Sequence, residues 1–323
     1  MSKTRFASRA FPGVTISILL ILSGVRVHGQ PAGEASGIAA FAAREPYEYT
    51  IIDGPGATAT TAFGVSATAG IVGVYTDANG RQHGFRRRDD SIDTIDYPGA
   101  VLTAARGISA KGVIVGSYRK AGEPAVNVHG YILSTDGVFH AADYPGHTNT
   151  IPQRILPSGT ILGCYHDSDT MMSMHGMALW DGGNADVDMP ASMSNGALPD
   201  RSVTVGFYTD MMANRTSSFV VAGGAFHSFD YPEATMTQAW DINAAGTIVG
   251  FFQDATNRIR GFVLIDGRFR AIDFPKALET RAFGIDEDGN IVGSFLDASR
   301  KTHAFLASHK FITPPDDPRN ERQ

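Results

Sequence analysis

Two groups of side chains in this 323-residue chain are suited to chemistry. The first is sulfur. Eight of the ten methionines lie between Met171 and Met212. The run Met171-Met172-Ser173-Met174-His175 sets three thioethers beside an imidazole, with Cys164 and His166 close by in sequence and Met211-Met212 further on. Soft sulfur donors select Cu(I). Methionine also fills irregular cores and forms adaptable contact surfaces, so copper binding, packing and an apolar partner contact are all open readings. The second group is Arg106, Gln153, Arg154, Trp240, Asp241 and Arg281. A guanidinium suits carboxylates and other anions, and an indole suits a sugar face or a cation. Ordinary packing and salt bridging would use the same residues.

Other chemistry has weaker support. Asn195, Asp241, Asn243, Glu279 and Asp286 could contribute to a metal-assisted hydrolase or lactonase, which needs carboxylates and amides converging on one ion. They scatter along the chain, and neither a Gly-x-Ser-x-Gly elbow nor a His-Glu-x-x-His pair occurs. Asp77, Asp167, Asp210, Asp254 and Asp297 recur at similar intervals. Calcium would require six to eight oxygens around one point, so turn capping is the better reading of that column. His83, His129, His175 and His303 also recur, which points to a structural role bonding backbone or a neighbouring unit.

The elements that must position these residues emerge from a repeat. The phrase Ile-Val-Gly or a variant begins at Ile71, Ile114, Ile161, Thr204, Ile248 and Ile291, at intervals of 43, 47, 43, 44 and 43 residues. Each copy has a Thr-x-Ala-x-Gly-Ile-like run before that phrase and a polar loop after it. A His-Gly-Phe variant follows, as at His83-Gly84-Phe85, then a closing phrase such as Thr94-Ile95-Asp96-Tyr97-Pro98-Gly99-Ala100. The parts are short, rich in Val, Ile, Phe and Tyr, and separated by Gly, Asp, Asn and Pro. This is a pattern of about four strands per copy. Period and strand count predict an all-β fold: a six-bladed β-propeller of four-stranded antiparallel blades, with a β-solenoid as the competing architecture. The closing phrase would turn the chain from an outer strand to the next inner strand, its Asp accepting backbone N–H bonds. An extra copy of it at Tyr49–Gly56 is the natural strand to close the ring. A weak copy at Lys310–Pro314 is the other candidate.

The inner strands would line a central channel. The columns that vary there run Phe63, Arg106, Gln153, Gly196, Trp240, Phe283 and Thr61, Ala104, Ile151, Ser194, Gln238, Arg281. Arg106, Gln153, Arg154, Trp240, Asp241 and Arg281 are therefore expected at a channel mouth. In the sulfur stretch, the expected metal ligands are Met171, Met172, Met174 and His175.

Composition bounds the rest. Hydrophobic residues make up 43% and charged residues 19%, ordinary for a globular chain long enough for a large core. Residues 1–29 have a basic start (Lys3, Arg5, Arg9), an apolar run from Val14 to Val25 and small residues before Gln30, the layout of a secretory signal peptide. An uncleaved anchor is the alternative. Cleavage would remove four basic residues and no acidic ones, taking the net charge from −6 to −10, which argues against nucleic acid or anionic lipid as a partner. Cys164 is the one cysteine, so no internal disulfide is available. Residues 30–45 read as a linker, 46–313 as the repeat domain and 314–323 as a disordered tail.

The recurrent Gly-x-Ile-Val-Gly…His-Gly/Ala-Phe unit, with His303-Ala304-Phe305 as its clearest form, resembles the bacterial extracellular HAF repeats, over roughly Thr58 to Thr313. The resemblance implies a secreted repeat protein and transfers no catalytic residue. Copies three and four depart most: Pro157 and Pro199 follow the inner strand, and Ser217-Ser218-Phe219 replaces His-Gly-Phe. Together these observations predict a secreted or periplasmic binding or scaffold module. It would hold a glycan, a small anion or an extracellular protein without a cofactor. The alternatives are the channel hydrolase and a copper or calcium protein.

Overall fold

The computed structural model describes residues 47–147, 149–167 and 173–309. Among them, 24 strands form six antiparallel blades. Blade one is β2 (Ala59–Ser66), β3 (Gly70–Thr76), β4 (Gln82–Arg88) and β5 (Ser91–Ile95). Blade two is β6 (Ala100–Ile108), β7 (Ile114–Lys120), β8 (His129–Leu133) and β9 (Phe139–Ala141). Blade three is β10 (Asn149–Ile155), β11 (Ile161–His166), β12 (Met174–Trp180) and β13 (Gly183–Pro190). Blade four is β14 (Ser192–Ala197), β15 (Val203–Asp210), β16 (Arg215–Ala222) and β17 (Ala225–Phe229). Blade five is β18 (Met236–Ile242), β19 (Ile248–Gln253), β20 (Ile259–Ile265) and β21 (Arg268–Ile272). Blade six has β22 (Glu279–Ile285), β23 (Ile291–Leu296) and β24 (Thr302–His309), and its outer strand is β1 (Tyr47–Ile52).

The ring is thus closed from the N-terminal side. β1 runs antiparallel to β24 from Tyr47 opposite His309 to Ile52 opposite Ala304. Asp53 just beyond it meets His303 Nδ1 at 2.9 Å. The rival segment Lys310–Pro314, the leader-like residues 1–29, the linker and the tail all lie outside the described residues.

The repeated phrases have separate packing tasks. The glycine of Ile-Val-Gly lets the large residue of the third strand lie flat over the second. A Cβ at Gly250 would sit 2.0 Å from the Gln238 carbonyl and 2.8 Å from the Phe262 ring. The covering residues Phe85, Tyr131, Met177, Phe219, Phe262 and Phe305 are each 0% exposed, so this column is the centre of every blade. The aromatic of the closing phrase stacks on the aromatic of the next second strand. Tyr97 lies 3.5 Å from Tyr118, Tyr231 3.6 Å from Phe252 and Phe274 3.6 Å from Phe295, ring centre to centre. Such pairs add about 0.5–1.5 kcal/mol each beyond area burial.

The closing-phrase aspartates depart from expectation. They mostly meet the third strand: Asp96 with His83 (2.9 Å), Asp143 with His129 (3.0 Å) and Asp273 with Arg260 (2.6 Å). Asp143 alone of these also accepts a backbone bond, from Gly130 N–H. The N–H of the turn itself goes to the buried threonine that opens the inner strand, as Tyr97 N–H does to Thr103 Oγ1. The loop aspartates do cap their own turns. Asp77 Oδ1 accepts from the Asn79 and Arg81 N–H groups, and Asp254 Oδ1 from those of Thr256 and Arg258.

Candidate functional site

All six inner strands have the same irregularity. Pairing with the second strand skips one residue between Ala62 and Gly64, Ala105 and Gly107, Pro152 and Arg154, Ser194 and Gly196, Ala239 and Asp241, and Ala282 and Gly284. The skipped residues are Phe63, Arg106, Gln153, Asn195, Trp240 and Phe283. A bulged residue leaves the ladder, and its side chain is re-aimed. Here the bulges meet around the axis. Phe63 contacts Phe283 (5.2 Å between centroids), and the Arg106 guanidinium lies 4.8 Å from the Phe63 centroid. Arg106 Nη1 donates to Gln153 Oε1 (3.4 Å), and Asn195 Nδ2 donates to the Ala239 carbonyl (2.9 Å). Trp240 stands edge-on to Phe283 at 4.7 Å.

This register corrects two members of the sequence columns. Asn195, not Gly196, is the fourth bulge residue, and Met193, not Ser194, aligns with Thr61. Aligning Ser192 with the threonine that opens other inner strands would have given the right frame.

The two walls of this ring differ. One is aromatic: Phe63, Phe283 and Trp240, backed by Phe251 and Phe207. Trp240 is partly exposed, and its indole N–H donates to Gln238 Oε1 at 3.2 Å. The other wall is polar, with Arg106 between Gln153 and Ser117 Oγ (3.4 Å). Burial pulls the Arg106 guanidinium below its ordinary pKa. Arg281 pairs with Glu279 at 2.7 Å and faces the Phe251 ring.

One residue further along, the inner strands approach too closely for side chains. A Cβ at Gly64 would lie 2.7 Å from the Arg106 carbonyl, and one at Gly107 2.8 Å from that of Gln153. Four blades have glycine in this column; blade three has Arg154 and blade five Asp241. Arg154 crosses the axis. Its Nη1 donates to the carbonyls of Arg106 (3.2 Å) and Gln153 (3.1 Å), its Nη2 reaches the Phe283 carbonyl, and it meets Asp241 Oδ2 at 2.9 Å. Asp241 also accepts the N–H groups of Ile242 and Ile285. Burial pushes its carboxyl pKa up, and Arg154 opposes that shift.

Beyond this plug is a cavity of about 650 Å³. Its lining includes Ile108, Ile155, Ala197 and Ile242, with Arg154 and Asp241 at the channel end and Lys111 and Glu287 among the loop residues. None of the six bulge residues lines it. The plug therefore separates an aliphatic vestibule from the aromatic and polar bulge ring.

The sequence-proposed metal ligands are not brought together. Met174 is buried with Cys164, Met193 and Phe207. His175, its neighbour on the strand, stacks on Tyr165 and faces Asp167 at 3.9 Å. Successive strand residues point to opposite faces. Met171 and Met172 lie outside the described residues. Cys164 Sγ is 3.5 Å from His166 Nε2, and burial pushes its thiol up to about 12. Among the described residues, no three His, Cys, Asp or Glu side chains form a group that could hold a metal ion. The scattered carboxylate and amide set is engaged elsewhere: Glu279 with Arg281, Asn243 with the Asp286 carbonyl, and Asp286 with Asn290.

Solved structures resemble this architecture. The β-propeller domain of the Trilobed protease from Pyrococcus furiosus, described as having an open velcro topology, matches with a TM-score of 0.51 at 10% identity, covering 79% of this chain and 95% of that one. A fucose-specific lectin from Aleuria aurantia matches at 0.50 and 12% identity, covering 78% and 93%. A mutant of AofleA from Arthrobotrys oligospora matches at 0.50 and 13%, covering 80% and 86%. The likeness is one of fold. No family model matches the chain, and no curated protein matches it. Among the described residues, no helix is long and apolar enough to cross a membrane.

Proposed function

We propose that the chain is an exported, HAF-like propeller that binds a ligand in the axial ring of bulge residues and performs no chemistry on it. One observation carries this reading: a position that changes type between repeats is bulged in every blade and converges on the axis. Blade-building columns are constant because each blade must solve the same packing problem. The bulge column is free of that demand, yet it assembles Trp240, Phe283 and Phe63 opposite Arg106 and Gln153. An aromatic wall facing a few convergent polar groups is the usual composition of a small-ligand site. Export is supported by the layout of residues 1–29. A glycan is the ligand class that best matches an indole beside hydrogen-bonding amides.

The test is a glycan-array screen of the mature protein, with Trp240→Ala as control. The expected result is a defined set of bound glycans whose signal is lost in the variant. An empty array, or an undiminished signal in Trp240→Ala, would overturn the reading.

A further inference from the structure

Three arginines lie at or near the axis, and their charge balance differs. Arg154 has Asp241 at 2.9 Å and Arg281 has Glu279 at 2.7 Å. Arg106 has no carboxylate partner among the described residues. Its neighbours are the Phe63 ring, Ser117 Oγ, Gln153 Oε1 and the Cys164 thiol, all neutral. Both of its hydrogen bonds are long, at 3.4 Å, and among the described residues Nη2 makes none. Arg106 is only partly buried, so its guanidinium is open to an incoming group, and no carboxylate balances it among the described residues. Nothing in the blade demands it, since the same position holds Phe, Gln, Asn, Trp and Phe in the other repeats. A planar guanidinium with free donors is matched by a planar carboxylate through two parallel bonds. The chain as a whole is acidic, at −6, so its long-range field repels anions and attraction must be local.

Resting on the reading of the bulge ring as the ligand site, we propose that the ligand is an acidic glycan. The carboxylate of a uronate residue would sit on Arg106, and the sugar ring would lie against the wall formed by Phe63, Phe283 and Trp240. Gln153, buried beside Arg106, accepts from Nη1 and donates to Met193 Sδ, so it holds the guanidinium in place. A simple inorganic anion would use the guanidinium but leave the aromatic wall without a role. A neutral sugar would use the wall and leave Arg106 uncompensated.

Calorimetry on the mature chain separates these cases with three probes: a glucuronate-terminated disaccharide, the same disaccharide ending in glucose, and sodium acetate. The acidic sugar should bind about tenfold or more tighter than the neutral one, the size expected of hydrogen bonds to a charged group. Arg106→Gln should abolish that difference by weakening the acidic sugar far more than the neutral one, and Arg106→Lys should keep part of it. Trp240→Ala should weaken both sugars. Arg106→Gln should also unfold at no lower urea concentration than the parent, because it removes a charge that no carboxylate balances. Equal affinity for the two sugars would overturn the acidic-ligand proposal while leaving the site standing. Acetate binding as tightly as the acidic sugar would overturn it in favour of a simple anion site. A large stability loss in Arg106→Gln would show that the guanidinium serves the fold, and would overturn it too. No binding of either sugar would end this proposal, while the array screen judges the site independently.

Discussion

The Arg154 guanidinium and the Asp241 carboxylate meet at 2.9 Å in the channel, although they belong to blades three and five. They occupy the one inner-strand column that is otherwise glycine, at the level where neighbouring inner strands nearly touch. Two charges thus replace two glycines, and each is the other's partner. The pair closes the axis and ties blades two, three, five and six together through the Arg106, Gln153 and Phe283 carbonyls and the Ile285 N–H.

Breaking the pair should be costly and pH-dependent. Arg154→Met leaves a buried carboxylate uncompensated and should lose about 3–5 kcal/mol at pH 7. Burial already holds the Asp241 pKa above its unfolded value, and Arg154 is the largest influence lowering it. In the variant it rises further, so the folded state takes up a proton that the unfolded state does not. Stability relative to the parent should therefore recover as pH falls through that raised value. Urea titrations at pH 7 and pH 5 check this, and Arg154→Met with Asp241→Asn should restore most of the loss at both. A deficit independent of pH would mean that packing, not charge, is what Arg154 supplies.

The two kinds of glycine should respond differently to alanine. At Gly250 the new Cβ meets the Gln238 carbonyl at 2.0 Å and the Phe262 ring at 2.8 Å. The third strand must shift, at about 1–3 kcal/mol or more. At Gly246, in the adjoining turn, the Cβ meets nothing within 4 Å but the backbone has φ of +82°. The loss there should be about 1 kcal/mol, from strain alone. Thermal unfolding of the two variants should rank them in that order.

Acid should loosen the blade rims first. Backbone N–H groups hold the Asp77 and Asp297 carboxylates below their ordinary pKa, chiefly those of Arg81 and Lys301, while Asp254 is lowered first by the Thr256 hydroxyl. A depressed folded pKa gives stability that is present above the unfolded value of about 3.9 and lost as pH falls through the lower folded value. Asp297→Ala should therefore be less stable than the parent at pH 7, and the gap should narrow below about pH 4. Denaturation midpoints measured from pH 7 to pH 2.5 would show it; a constant gap would place the effect in side-chain volume instead.

Much of this was legible in the sequence because a repeat states its own grammar. The Ile-Val-Gly spacing gives six blades, and the third-strand aromatic column gives their cores. The mates of the closing-phrase aspartates were less visible, since His83 and Asp96 are thirteen residues apart and only register brings them together. The bulge was invisible because it adds a residue in every blade alike; blade four slipped by one because its turn is a residue longer, Ala197 pairing with Thr204 where Ile155 pairs with Ile161. The Arg154–Asp241 pair was hidden for a different reason. Both residues stood out as exceptions to the repeat, but that each answers the other requires knowing that Arg154 spans the axis.

Closure by β1 gives a last prediction. Residues Tyr47–Ile52 supply the fourth strand of blade six, and Asp53 holds His303. A chain beginning at Gly54 would leave blade six with three strands and the β24 edge unpaired. It would also uncover Phe305, which is otherwise fully buried against Tyr49. An exposed edge of that kind pairs with other chains. The shortened chain should unfold at lower temperature and self-associate on size-exclusion chromatography. A synthetic peptide of residues 46–53 supplied in excess should reverse both changes, because it restores the strand without the covalent link. Asp53→Ala in the full chain should lower the unfolding temperature without causing association, since the edge stays covered. If the shortened chain were as stable and monomeric as the full one, the ring would have to be closed by other contacts.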